Sequence, residues 1–194
     1  VQSPKCQAVA RRPRVRQRLP QPTLASVVSS AGQRAARNGE AASYANVADV
    51  YSARPAITGK MELEYEGELK GADTVARELI RTAIGRVFTK YFGEVNFQPV
   101  IQWFELGGEL KLPELATTDE RYSQLSKIQG LTEHTGRIGA NDAKNHAAVA
   151  AAAEMILEGL WAHRRIGRSE ERGFYAAKQK AQEPRESPSS RGPR

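Results

Sequence analysis

Cysteine is nearly missing from the 194-residue chain. Cys6 stands alone, which excludes an intrachain disulfide and any multi-cysteine zinc or iron–sulfur site. Histidine is almost as scarce. The three residues His134, His146 and His163 form no metal-ligand spacing with carboxylates, so a histidine-based metal centre or catalytic dyad finds no support. No uninterrupted apolar run approaches bilayer length, and no apolar segment resembling a secretory signal follows the arginine-rich N-terminal stretch. A cytoplasmic location and no membrane insertion are the resulting expectations.

Acidic residues are missing from the opening stretch as well: none precedes Glu40, whereas Lys5, Arg11, Arg12, Arg14, Arg16 and Arg18 all do. A second basic group, Arg164, Arg165, Arg168 and Arg172, contributes to the formal charge of +7. Such groups attract polyanions in general. No motif with a fixed docking geometry accompanies them, so nucleic acid is not the expected partner. The chain also lacks a Gly-x-x-x-x-Gly-Lys-Ser/Thr phosphate loop. Gly59-Lys60 has no suitably placed earlier glycine and no hydroxyl residue after the lysine to hold magnesium. No serine lies in a strand–turn–helix nucleophile motif.

What the chain does contain is helical periodicity. Between Gly71 and Phe92, Val75, Ala76, Leu79, Ile80, Ala83, Ile84, Val87, Phe88, Tyr91 and Phe92 recur at three- and four-residue intervals. They mark a long amphipathic helix, with Asp73 in its first turn and Arg77, Arg81, Arg86 and Lys90 on its solvated side. Thr23 is the expected N-cap of an earlier helix whose face carries Leu24, Val27, Val28, Ala31, Ala35 and Ala36, and Gly39 is its expected stop. Arg34 and Arg37 suit the negative end of that helix. Asn46 is positioned to cap a short helix through Val50 and Tyr51 that Pro55 interrupts.

Farther along, Pro99 fits the first turn of a helix carrying Trp103 and Phe104, and Gly107-Gly108 ends it. Thr117 and Glu120 have capping-box spacing ahead of Tyr122, Leu125 and Ile128. Residues 132–144 read as a polar loop, and a strong alanine-rich helix follows from Ala147 to about Ile166, with Glu154 and Glu158 on one face. Met61, Leu63 and Tyr65 alternate with Glu62, Glu64 and Glu66, which suggests a short β-hairpin near 60–69. Four alternating glutamates without histidine or aspartate read as a solvated strand face rather than a metal site. The fold class expected is therefore all-α or mainly α.

Four segments carry a resemblance: ITGKMELEYEGELKGADTVARELIRTAIGRVFTKYF, IQWFELGGELKLPEL, YSQLSKIQGL and AAAEMILEGLWAHRRIGRSEERGF. They resemble the C-terminal part of magnesium-chelatase-type AAA+ ATPases, including the MoxR-like branch, over roughly residues 11–178. Composition makes residues 1–21 a basic irregular lead-in and 178–194 a disordered tail, and the resemblance implies 22–54 as part of the helical lid and 55–177 as a family-specific helical extension. Missing are the α/β nucleotide-binding core, its Walker A lysine and its Walker B acids, so the pattern is that of a fragment or truncated form. ATP and Mg would serve the complete protein, and none is expected with this chain alone. In such relatives an arginine opening a lid helix senses the ATP phosphates. Arg18, in VRQRLP, is the matching position, although the Gly-Val-Ser that precedes the arginine in relatives is absent. Implied partners are an AAA+ core or homologous ring subunits and a protein client. The competing expectation is a noncatalytic helical protein-interaction module.

Overall fold

A computed structural model describes residues 20–41, 43–59, 71–113 and 115–177. Seven α-helices and one antiparallel β-hairpin lie among them, a mainly-α architecture. The order is α1 (Pro20–Asn38), α2 (Val47–Ser52), α3 (Arg54–Thr58), α4 (Ala72–Phe92), α5 (Gln98–Glu105), α6 (Thr118–Leu125), a 3-10 helix (Thr132–Ile138), α7 (His146–Ala162), β1 (Ile166–Ser169) and β2 (Gly173–Ala176). The suggested hairpin near 60–69, the basic lead-in with Arg18 and the tail from residue 178 lie outside the described residues.

The core is built around α7. Ala153, Ile156, Leu157 and Leu160 have no accessible surface, and Ala148, Val149, Ala150 and Ala152 are buried beside them. A helix apolar on nearly every side must be enclosed on nearly every side. α4 and α6 pack against it, with the 3-10 helix and β1 closing further flanks. Across this interface Phe88, Phe92 and Phe97 form an aromatic cluster with ring centroids 5.4–5.9 Å apart. Each large apolar side chain withdrawn from water here stabilises the fold by about 1.5–3 kcal/mol before entropy is counted. Close approach of α4 depends on Gly159, because a Cβ there would fall inside the Phe88 ring.

Local signals account for several helix ends. Asn46 and Asp49 form a reciprocal capping box, with Asp49 N–H donating to Asn46 Oδ1 at 3.0 Å and Asn46 N–H to Asp49 Oδ2 at 2.9 Å. Thr117 and Glu120 form a second box at the start of α6. Gly39 stops α1 at φ +67, a left-handed conformation that costs glycine little.

Four expectations require correction. Helix α1 begins at Pro20, three residues before the expected cap, and Thr23 lies inside it. Prolines at positions 20 and 22 occupy the first turn, where a missing N–H breaks no intrahelical bond. The face expected of α1 is also buried only at Ala31 and Ala35, while Leu24 and Val28 are more than half exposed. Residues 132–138 are a 3-10 helix rather than loop. Finally, α7 stops at Ala162. Arg164 takes the left-handed conformation at φ +61, and Arg165 N–H donates back to Leu160 O at 2.9 Å, so the ending uses arginine where glycine is usual.

The chain beyond that stop forms the hairpin, in register from Ile166 opposite Ala176 to Ser169 opposite Gly173. Leu110 adds a one-residue bridge to Phe174, with bonds of 3.0 and 2.8 Å in both directions. Ile166 and Phe174 thereby enter the main core.

A buried ionic seam on the central helix as candidate functional site

The charged side chains of α7 provide the chemistry of the interior. Glu154 and Glu158, one turn apart, project from an otherwise apolar helix and are 4% and 0% exposed. An isolated buried carboxylate is expensive, so each must find donors. Glu154 Oε1 accepts from Arg121 Nη1 of α6 at 2.7 Å. Arg121 is itself held by the carbonyls of Ala116 at 3.1 Å and Pro113 at 2.9 Å, which fixes the guanidinium plane. The Val47 backbone also donates to Glu154.

Glu158 faces a different set. Its Oε1 accepts the Tyr51 hydroxyl of α2 at 2.7 Å, and Arg168 of β1 pairs with Oε2. The Arg168 guanidinium lies 5.7, 5.5 and 5.1 Å from the Tyr51, Trp161 and Phe174 ring centroids, so cation–π attraction supplements the ion pair. Burial pushes both glutamates above the ordinary carboxylate value, against the lowering effect of the facing arginines. Burial, followed by repulsion from Glu158, likewise pushes the Tyr51 hydroxyl far up, keeping it a donor.

A third pair joins α1 to α2. Arg34, 8% exposed, donates through Nη2 to Asp49 Oδ2 at 2.9 Å, Ser43 Oγ at 2.9 Å and the Tyr44 carbonyl at 2.8 Å. A small cleft of about 10 Å³ is lined by Arg34, Tyr44 and Asn46 together with Thr118, Arg121 and Glu154 and the alanines of the first turns of α7. The three pairs thus make a polar seam along α7. It holds fixed donors and acceptors, with each interior charge matched to an opposite one.

No family model, curated protein or solved structure matches this chain.

The seam changes the reading of several residues. Arg168 and Arg172, expected in a basic patch, are engaged by Glu158 and Glu109 respectively. Arg34 serves a buried pair rather than the end of α1. The histidines are dispersed. His146 Nδ1 lies 3.0 Å from Asp119 and its ring stacks on Tyr122, His134 packs edge-on to Phe97, and His163 Nε2 lies 3.1 Å from both Gly85 O and Thr89 Oγ1. Among the described residues no group of three His, Cys, Asp or Glu side chains could hold a metal ion. None of their helices is long and apolar enough to cross a membrane.

Sequence reasoning placed Glu154 and Glu158 on one face but did not find their partners. Those partners come from residues 51, 121 and 168, separated from the glutamates by 10 to 107 positions. The available signal was two acids within an alanine-rich apolar helix, a pattern that demands buried cations.

Proposed function

We propose that this chain supplies lid and helical assembly elements to a magnesium-chelatase-like AAA+ ATPase, and does not hydrolyse ATP by itself. The four quoted segments support the family, and the mainly-α architecture agrees with a helical extension. One observation carries the mechanical part. The Tyr51 hydroxyl, near the end of the stretch expected to be lid, bonds to Glu158 on the central helix at 2.7 Å. Thr118 N–H donating to Glu40 at 2.7 Å and Asn38 Nδ2 donating to Ala116 O at 3.4 Å add two further ties between the α1 end and the α6 start. A shift of α1 and α2 on phosphate release would therefore be passed to α6 and α7 through directed bonds.

In this reading ATP and Mg belong to a nucleotide-binding core, the partners are that core or homologous ring subunits and a protein client, and the setting is cytoplasmic. Arg18 contributes a guanidinium to the ATP phosphates. The purified chain should show no magnesium-dependent ATP turnover. Added to an AAA+ core with intact Walker motifs, it should change that core's turnover, and Arg18→Ala should abolish the change. Turnover by the chain alone, or no effect on any such core, would overturn the proposal.

A noncatalytic interaction module is the second reading. Leu24 and Val28, four residues apart on α1, are 64% and 62% exposed and favour it. Concentration-dependent association of the full chain in sedimentation experiments, lost in a Leu24→Glu/Val28→Glu variant, would support that reading over the first. A monomer at every concentration would count against self-association.

A further inference from the structure

Two stretches of the chain carry no acidic residue, and the fold lays them against each other. Residues 79–93 hold Arg81, Arg86 and Lys90, and residues 159–169 hold Arg164, Arg165 and Arg168, with no aspartate or glutamate in either. His163 joins them, its Nε2 lying 3.1 Å from both Gly85 O and Thr89 Oγ1, which fall between Arg81 and Lys90 on α4. The Arg81 guanidinium, 5.1 Å from the Trp161 ring centroid, makes a second tie. Arg168 is matched by buried Glu158, while Asp73 and Glu170 face Arg54 and Arg77. Arg81, Lys90, Arg164 and Arg165, by contrast, form no ion pair with any described residue, and the last three are exposed. The packing of α4 on the end of α7 thus gathers positive charge that the fold leaves unneutralised.

Backbone geometry singles out one of these cations. Arg164 stands at φ +61, where glycine would be unstrained and arginine is not. One cation suits the negative end of α7, but Arg165 repeats the charge beyond that need. From Arg81 to Lys90 the cations cover nine residues of helix, about 13 Å by helical rise, too far for one phosphate or carboxylate group to bridge. A chain of anions fits. We propose that this surface binds the phosphodiester backbone of a nucleic acid without preference for base sequence, the guanidiniums of Arg164 and Arg165 and the Lys90 ammonium each meeting a phosphate. Contact with the backbone alone needs no docking motif, so the lack of one in the sequence is no obstacle. Tyr91, 40% exposed beside Lys90, offers a ring on which an unpaired base can stack. An anionic bilayer would demand more apolar surface than Val87 and Tyr91 supply here.

Fluorescence anisotropy of the full chain with a labelled oligothymidylate, repeated over a series of salt concentrations, tests the surface. Affinity should fall as salt rises, and Arg164→Gln/Arg165→Gln should weaken binding about tenfold at low salt and reduce the log–log salt slope by about 1.4, two phosphate contacts' worth. Arg12→Gln/Arg14→Gln removes as much charge from the basic lead-in and should cost less. Arg164→Gly relieves the left-handed strain, so its thermal midpoint should not fall even as binding weakens, which separates a lost contact from a damaged fold. Should that midpoint fall, Arg165→Gln alone, at an exposed side chain, decides by the same binding measurement. Unchanged affinity in Arg164→Gln/Arg165→Gln, a loss confined to the lead-in variant, or tighter binding to phosphatidylserine vesicles or polyglutamate than to the oligonucleotide would overturn the proposal.

Discussion

At the scale of single residues, two buried glutamates set the pH behaviour. Burial raises the folded-state values of Glu154 and Glu158 above 4.5, so between that value and the raised one the folded chain binds more protons than the unfolded chain. Their contribution is fully present below 4.5 and is lost as the pH rises through the folded-state values. Urea midpoints should therefore decline over this interval, with each tenfold difference in proton affinity between folded and unfolded chain worth about 1.4 kcal/mol. Glu154→Gln and Glu158→Gln should each flatten the decline, and identical profiles in all three proteins would show that neither carboxylate is perturbed. Glu109 and Arg172 behave differently. Their mutual hydrogen bond lowers the glutamate and raises the arginine, but both are exposed and screened, and their pairing adds little to stability.

The elements show why some boundaries were legible in the sequence and others were not. Asn46 with Asp49 and Thr117 with Glu120 act within four residues, so their capping boxes appear in the sequence as spacings. The end of α7 carries no such mark, because Arg164 adopts a left-handed conformation that its residue type does not announce. The hairpin after it consists of two four-residue strands joined through charged residues, and its outer partner, Leu110, lies 64 positions before Phe174. Pairing at that separation leaves no local period. Gly173 shows the same point: its φ of +71 and its contact with the backbone of residues 110 and 111 together require glycine, yet only the second strand's neighbour reveals the reason. The crossing of α4 on α7 is the element-level test. Gly159→Ala should destabilise the chain by about 1–3 kcal/mol through overpacking against Phe88. A thermal midpoint equal to wild type would show that the helices can separate without cost.

For the whole molecule, stability should be graded outward from α7. Hydrogen exchange should be slowest for amides of residues 153–160, which lie in the fully enclosed part of the core, and fastest within α1 for residues 20–30, none of which is buried. Equal protection at the two ends of this gradient would mean that the chain opens only as a unit. Such a gradient would leave the first half of α1 free to respond to a partner while Arg34 and Asp49 hold its second half to the body.

The sequence by itself determined that the chain is mainly helical, where α4, α5 and α6 run and which residues cap α2 and α6, because these features follow from spacings shorter than two helical turns. Tertiary structure alone decided which charges became interior. Arg34, Arg121 and Arg168 are ordinary surface residues by type, and only tertiary packing brings them against carboxylates that have lost their water, Asp49 on α2 and Glu154 and Glu158 on α7. Local patterns record backbone geometry, whereas desolvation depends on what the rest of the chain places alongside.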